Sequence, residues 1–213
     1  MDQSSGCHKV EDESVVSGIL LAGGQSRRMG RVNKALLDVG GVRIVERVAR
    51  AIKQAFDEIL LITNTPEEFG FLGLPMLPDI RPGYGALGGL YTGLRACRSA
   101  YGFLVACDMP FLDVRVIRHM VALVGRHDIV IPRVAGLLQP LHAIYSGECI
   151  EPIERLMAAD DRKIPDFFHE VDVLEVPETV LAPFDPTLRF VMNINRIEDL
   201  ERARALAEPA CSD

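Results

Sequence analysis

Leu20-Leu-Ala-Gly-Gly-Gln-Ser-Arg-Arg-Met-Gly30 joins an apolar run at residues 17–21 to a short polar loop, and Lys34 follows four residues later. Paired glycines let a backbone approach a ligand closely, and the N–H groups of such a turn form a concave anion site. Arg27, Arg28 and Lys34 add positive charge where phosphates would lie. The stretch predicts a nucleoside triphosphate site at the start of an α/β domain. The structural alternative is an ordinary strand-to-helix turn with solvated arginines.

Composition excludes several classes of protein. The loop matches neither the Walker A pattern nor the usual dinucleotide fingerprint. The net charge is −7 and the pI about 5.3, whereas nucleic-acid binders are usually basic. Five widely spaced cysteines without a C-x-x-C pair argue against a disulfide framework or a zinc site. No apolar run approaches the ~18 residues that span a bilayer, so we expect a soluble, cytoplasmic protein without a nucleic-acid or membrane partner.

Length and periodicity predict one α/β domain. The chain has 213 residues, which is typical of a single domain, and we expect it at 15–207 between tails at 1–14 and 208–213. Strands are predicted near 17–21, 57–63, 74–77, 101–107, 128–133, 138–145, 171–176 and 188–193. Helices are predicted near 43–56, 86–97, 114–124, 149–159 and 196–206. This alternation indicates βαβ units and a mostly parallel sheet, with 138–145 as an antiparallel strand.

The residues that follow the predicted strands are candidates for a site, because ligands of such sheets bind beyond the carboxyl ends of the strands. Asp108 follows the apolar run 101–107. Its carboxylate is a candidate ligand of Mg²⁺, or alternatively the N-cap of the next helix. Asp79 opens a segment with five glycines, residues 79–93, which suggests a loop that approaches a ligand, with Asp79 accepting hydrogen bonds from a base or sugar. The alternative is a flexible surface loop in which Asp79 is a turn residue. Asn64 is a candidate to hydrogen-bond a base edge or a ribose, or alternatively is a simple turn residue.

Two later segments carry weaker signals. Gln139 and His142 lie on a predicted hairpin, where a lone histidine is either structural or in contact with substrate. Asn193 and Asn195 end a predicted strand, and Asn195 also suits an N-cap, with Glu198 completing a capping box.

Taken together, these motifs resemble those of the molybdenum cofactor guanylyltransferases, a family of nucleotidyltransferases with a Rossmann-like sheet. The resemblance spans about 16–206 and implies a three-layer α/β/α sandwich. The matching motifs are Leu21–Gly30 with Lys34, Pro78-Asp79, Gly85–Gly89, Ala106–Pro110, Gln139–His142 and Asn193–Asn195.

The resemblance implies that GTP and molybdenum-molybdopterin react to give the guanine dinucleotide cofactor and pyrophosphate, with Mg²⁺ as cofactor. It also implies transient contacts with proteins of the cofactor pathway or with apoenzymes. The N-terminal half would bind the nucleotide and the C-terminal half the pterin. Carried over by position, the nucleotide-binding residues are Leu21, Ala22, Gly23, Gly24, Lys34, Asn64, Asp79, Gly85 and Asp108. The catalytic residues are Lys34, Asp108 and Arg28, with Asp108 also the metal ligand. The pterin-side residues are Gln139, His142, Asn193 and Asn195.

The chain departs from the family pattern at Asn33, where Asp is common, and at Ala86, where Pro is frequent. A cytidylyltransferase acting on the same pterin is the nearest alternative, but Gly23 leaves room for a purine and favours GTP. Another small-molecule phosphate nucleotidyltransferase is a further alternative. A non-catalytic nucleotide-binding protein is the third, and the presence of both Asp108 and Lys34 argues against it.

Overall fold

The computed structural model describes residues 15–23 and 33–207, and the predicted tails lie outside these ranges. The strands are β1 (Val16–Leu21), β2 (Asp38–Val39), β3 (Val42–Arg43), β4 (Ile59–Ile62), β5 (Met76–Leu77), β6 (Tyr101–Ala106), β7 (Ile129–Val134), β8 (Leu137–Leu138), β9 (His142–Ser146) and β10 (Val173–Pro177). The helices are α1 (Ile44–Ile52), α2 (Ala86–Ala96), α3 (Val114–Val121), α4 (Ile150–Ala158), α5 (Glu178–Leu181) and α6 (Ile197–Ala207).

The main sheet has the strand order β10-β7-β9-β6-β1-β4-β5, with β8 paired to β7. β1 is parallel to both β4 and β6, β4 is parallel to β5, and β10 is parallel to β7. β9 runs antiparallel to both β6 and β7. The predicted architecture, a mostly parallel sheet with an antiparallel strand in the second half, is therefore confirmed.

Each face of the sheet is covered by helices. In β6, Phe103 faces one core and Leu104 the other, because successive side chains of a strand point to opposite faces. The first core receives apolar side chains of α1 and α3, such as Val48 and Ile117. The second receives those of α2 and α4, such as Leu90 and Ile153. The result is the three-layer, Rossmann-like α/β/α sandwich that the resemblance implied.

A smaller apolar cluster fixes α6 against the β2–β3 hairpin, which the sequence analysis did not predict. Val39 and Ile44 pack there with Leu200 and Ala203 of α6. None of the helices within the described residues is both long and apolar enough to cross a membrane.

The predicted strand at 188–193 is wrong. The chain forms a short 3₁₀ helix, Arg189–Val191, instead. Leu188 adopts a left-handed φ of 50°, which turns the chain away from an extended path. The carboxylate of buried Asp185 then accepts hydrogen bonds from the backbone N–H groups of Thr187 and Phe190. Those donors are consequently not available for pairing with a neighbouring strand.

Candidate functional site

Four parallel strands bring the predicted nucleotide residues to one edge of the sheet. β1 pairs in parallel with β4 and β6, and β4 with β5, so their carboxyl ends lie together. Gly23, Asn64, Asp79 and Asp108 follow β1, β4, β5 and β6 within two residues of each strand end. This edge is where ligands of open α/β sheets bind.

Leu21 and Ala22 are held in place by the neighbouring strands. The backbone N–H of Ala22 donates to the carbonyl of Ile62 at 3.0 Å, and the carbonyl of Leu21 accepts from the N–H of Cys107, also at 3.0 Å. The side chains of Leu21 and Ala22 are buried. A ligand at this edge would therefore meet their backbone rather than their side chains.

Gly23 is exposed, and a Cβ built at this position would meet no atom of residues 15–23 and 33–207 within 4 Å. Packing within the described residues thus does not require a glycine here. The predicted residues Gly24, Arg27 and Arg28 lie within 24–32, outside the described residues.

Asn64 and Asp79 contact each other directly. The backbone N–H of Asp79 donates to Oδ1 of Asn64 at 2.9 Å. Oδ1 of Asp79 in turn accepts from the backbone N–H of Arg81 at 2.9 Å. Asp79 is half-buried and Asn64 exposed, so both residues are held by hydrogen bonds within the protein and remain at least partly accessible to solvent.

The glycines expected to form a ligand loop serve two different purposes. Gly85 has a φ of 57° and immediately precedes α2, so it is a turn position that suits glycine. Gly89 and Gly93 lie inside α2, where an added Cβ would come within 2.6 Å of Leu21 and 2.5 Å of Ile19. These two glycines permit close packing of the helix on β1 and do not approach a ligand.

Lys34 connects the loop after β1 to the segment that precedes α6. It begins a 3₁₀ helix, Lys34–Leu36, and its Nζ donates to the backbone carbonyl of Asn195 at 2.5 Å. Burial raises the pKa of the Asp108 carboxyl, and the positive charge of Lys34 offsets part of that rise. An amine that interacts with both Asn195 and Asp108 lies at the same edge as the strand ends.

Asp108 is half-buried, and one of its carboxylate oxygens is unsatisfied among the described residues. Burial raises the pKa of Asp108 above its usual value, although a backbone hydrogen bond and the charge of Lys34 lower it in part. Its Oδ1 is buried and finds no hydrogen-bond partner among the described residues. The N-cap alternative does not hold, because the cap of α3 is Asp113, which accepts from the N–H of Arg115 at 2.8 Å.

The segment 193–195 lies directly against the Asp108 loop. The backbone N–H of Ile194 donates to the carbonyl of Asp108 at 2.9 Å. Oδ1 of Asn193 is buried and, like Oδ1 of Asp108, has no partner among the described residues. Two oxygens that need a donor or a cation thus occur on adjoining segments.

The helix that follows this segment has a different capping carboxylate from the one predicted. Oδ2 of Asp199 accepts from the backbone N–H groups of Asn195 and Arg196, both at 2.8 Å. Glu198 is exposed. The negative charge of Asp199 at the start of α6 is favourable for the helix.

His142 is not with the other predicted residues. It is fully buried, and its ring lies 5.0 Å from that of Phe103 and 4.8 Å from that of Phe190. Burial lowers the pKa of His142 to about 3, so the ring is neutral at physiological pH. A direct contact of His142 with a pterin does not fit this placement.

Gln139 is half-buried and donates to the carbonyl of Leu137 at 3.2 Å.

Comparison with known proteins identifies the family. The model of the MobA-like NTP transferase domain matches residues 18–174. The chain belongs to this family. It is 38% identical over 192 residues to a probable molybdenum cofactor guanylyltransferase of Pelotomaculum thermopropionicum, and the match covers 90% of this chain and 93% of that one. A molybdenum cofactor guanylyltransferase of Desulfosudis oleivorans is 35% identical, with 89% and 95% covered.

A solved structure of the same kind agrees with the fold. Molybdopterin-guanine dinucleotide biosynthesis protein A from Archaeoglobus fulgidus superposes with a TM-score of 0.78 at 25% identity, covering 90% of this chain and 97% of that one. The chain is therefore a nucleotidyltransferase of the MobA-like family.

Nucleotidyltransferases of this kind generally use a divalent metal, and the chemistry of Asp108 fits one. Its orphaned oxygen is a hard ligand at the edge where phosphates would lie. No group of three or more His, Cys, Asp or Glu side chains that could hold a metal ion occurs in residues 15–23 and 33–207. A single carboxylate suits a cation that keeps water and phosphate oxygens as its other ligands, as Mg²⁺ does.

Two contacting residues of this MobA-like site were missed by the sequence analysis. Thr92 is buried on α2 and lies 3.2 Å from Oδ1 of Asp79. Glu68 accepts a short hydrogen bond from Nδ2 of Asn33. A signal for Thr92 was present, since it is a small polar residue among the leucines, glycines and tyrosine of the buried stretch 87–94 of α2. Glu68 carried no such signal.

Proposed function

We propose that this protein transfers GMP from GTP to molybdenum-molybdopterin, forming molybdopterin guanine dinucleotide and pyrophosphate. The observation that carries the proposal is the unsatisfied carboxylate oxygen of Asp108 close to the Lys34 amine, at the strand edge that also holds Asn64 and Asp79. The curated relatives, which match along nearly their whole length, bear the corresponding name.

In the proposed reaction, an oxygen of the terminal phosphate of the pterin attacks the α-phosphorus of GTP. A new P–O bond forms, the bond to the bridging oxygen between the α- and β-phosphorus breaks, and pyrophosphate leaves. The attacking group is already an anion, so no general base is required. Two polyanions must be brought together, and catalysis therefore depends on positioning and charge neutralisation.

The residues of this chain divide these tasks. Lys34, held by the carbonyl of Asn195, supplies positive charge to the phosphates, with Arg28 expected to add to it. Asn64 and Asp79 orient the nucleoside, with the backbone of Leu21–Gly23 and the turn at Gly85 lining its path. Asp108 would hold Mg²⁺, which supplies further charge neutralisation on the phosphate oxygens when bound.

The pterin side is assigned to the segment next to Asp108. Asn193 has a buried Oδ1 without a partner among the described residues, which suits a donor on the pterin. Asn195 and Gln139 are at least partly exposed and are retained as pterin contacts. His142 is left out because it is fully buried.

The choice of GTP over CTP rests on the glycine at position 23, where no atom of the described residues would contact a Cβ, since a larger side chain there would narrow the room for a purine. Gly24 is expected to assist.

The test is a pyrophosphate-release assay with GTP or CTP, with and without molybdenum-molybdopterin, in the presence of Mg²⁺. We expect release that requires both GTP and the pterin. Pyrophosphate release that is equal with CTP, or that does not depend on the pterin, would contradict the proposal.

A further inference from the structure

Thr92 lies behind Asp79, on the side of the carboxylate that faces α2. Its side chain is 2% exposed. Its Oγ1 accepts from the backbone N–H of Ile80 at 3.1 Å and lies 3.2 Å from Oδ1 of Asp79. The same hydroxyl lies 2.8 Å from the carbonyl oxygen of Gly88, one turn earlier in the helix. Its single proton is therefore shared between that carbonyl and the carboxylate.

Gly88 provides the space that the Asp79 carboxylate occupies. A Cβ at this position would come within 2.7 Å of Oδ2 and 3.0 Å of Oδ1 of Asp79, and within 2.8 Å of the carbonyl oxygen of Arg81. Real Cβ atoms essentially never make contacts this short. Gly88 is thus required at this position by both the Asp79 carboxylate and the Arg81 carbonyl.

These contacts restrict Asp79 on several sides. Its backbone N–H is held by Asn64 and its Oδ1 by the N–H of Arg81, while Thr92 holds the next amide along the chain and contacts the same oxygen. A buried polar group that is fully engaged in this way fixes its neighbours in one arrangement. Thr92 itself does not face the crevice.

We propose that Thr92 is a positioning residue for nucleotide recognition, which acts through Asp79 by fixing the direction of its carboxylate. This rests on the function proposed above, in which Asp79 contacts the nucleoside part of GTP. Thr92 then affects nucleotide recognition indirectly, because it contacts Asp79 and not the nucleotide itself. Its removal weakens nucleotide binding without touching the reacting phosphates.

The experiment is a double-mutant cycle on the full chain, with KM and kcat for GTP measured at saturating molybdenum-molybdopterin and Mg²⁺. Thr92→Val keeps the shape but removes the hydroxyl, and we expect KM for GTP to rise about tenfold with kcat changed less than about twofold. Thr92→Ser keeps the hydroxyl and stays near the parent. In an Asp79→Ala background, Thr92→Val adds no further increase in KM, since residues that act through one another are not additive.

A KM for Thr92→Val equal to that of the parent overturns the inference. So does an increase of the same size in the Asp79→Ala background, which is the result of a merely structural role. Should Thr92→Val fail to fold, Gly88→Ala, one turn earlier on the same face of α2, displaces the same carboxylate and is expected to raise KM for GTP in the same manner. An unchanged KM for folded Gly88→Ala then overturns the inference. A parent protein that makes no dinucleotide from GTP refutes the proposed function instead.

Discussion

The side chain of Asn64 holds the backbone of Asp79: Oδ1 of Asn64 accepts from the N–H of Asp79 at 2.9 Å, across 15 residues of sequence. Because Oδ1 is engaged in this way, the Nδ2 hydrogens are the part of Asn64 that can donate to a nucleoside.

Asn64→Asp separates these two roles. The aspartate retains an acceptor for the N–H of Asp79 but has no donor for the nucleoside. We expect KM for GTP to rise about tenfold with little change in the thermal unfolding midpoint. Asn64→Ala, which loses both roles, is expected to lower the midpoint as well. Steady-state kinetics and thermal unfolding check both variants, and a normal KM for Asn64→Asp would contradict the nucleoside contact.

Asp108→Asn is expected to reduce activity and raise stability at the same time. The carboxylate is half-buried, its Oδ1 is buried without a partner among the described residues, and burial raises its pKa by disfavouring the ionised form. A neutral amide removes that cost. We expect kcat to fall about a hundred- to a thousand-fold, while the melting temperature measured in a chelator rises. Near-parental activity of the folded variant would contradict the assignment of Asp108.

His142 makes folding sensitive to acid. Burial lowers the pKa of His142 to about 3 in the folded protein, below its ordinary value of 6.5, so only the unfolded chain takes up a proton between these values. The free energy of unfolding therefore carries no penalty from His142 above pH 6.5, and it decreases as the pH falls from 6.5 towards 3. His142→Leu removes this contribution.

Urea unfolding at pH 7.5 and pH 5.0 measures the effect. The parent is expected to lose about 2 kcal/mol more than His142→Leu over this interval. The variant should also retain nucleotidyl transfer, because the ring lies in the apolar core. An equal pH dependence in the two proteins would show that His142 is not held neutral.

The pair Asn33 and Glu68 joins the segment of Lys34 to the segment that follows Asn64. Oδ1 of Asn33 accepts from the N–H of Ala35 at 3.1 Å, and its Nδ2 donates to Glu68. An amide can do both, whereas a carboxylate has only acceptors. We expect Asn33→Asp to lower kcat/KM about tenfold, because two carboxylates then face each other.

The control is a second substitution that restores the donor. Asn33→Asp combined with Glu68→Gln should return to within about threefold of the parent, since the glutamine amide donates to the new carboxylate. Glu67→Gln removes the same charge one residue earlier, at an exposed position, and should have little effect. A double variant as impaired as Asn33→Asp alone would rule out this pairing.

The elements and the strand-end residues could be predicted because they depend on local sequence. The apolar run at 101–107 is a central strand, and Asp108 follows it at the expected edge. The failures depend on contacts between distant segments. The strand expected at 188–193 is replaced by a turn that Asp185 stabilises, and His142 is enclosed by Phe103 and Phe190 from other parts of the chain.

Partners of functional residues were the least predictable. Asn33 and Glu68 are 35 residues apart. No local sequence pattern predicts that the Glu68 carboxylate contacts the Asn33 amide. Thr92 could have been suspected from its polarity, but its contact with Asp79 depends on the absence of a side chain at Gly88. These relationships are visible only when helix and loop are placed together.

The central claim is transfer of a guanylyl group with attack at the α-phosphorus, and following a radioactive label tests it most directly. The protein is incubated with Mg²⁺, molybdenum-molybdopterin and GTP labelled at either the α- or the γ-phosphate, with α-labelled CTP as the comparison. We expect the α-label of GTP in the pterin dinucleotide, the γ-label in pyrophosphate, and at least about tenfold less product from CTP, a difference of about 1.4 kcal/mol. The γ-label in the pterin product, or equal incorporation from CTP, would contradict the account.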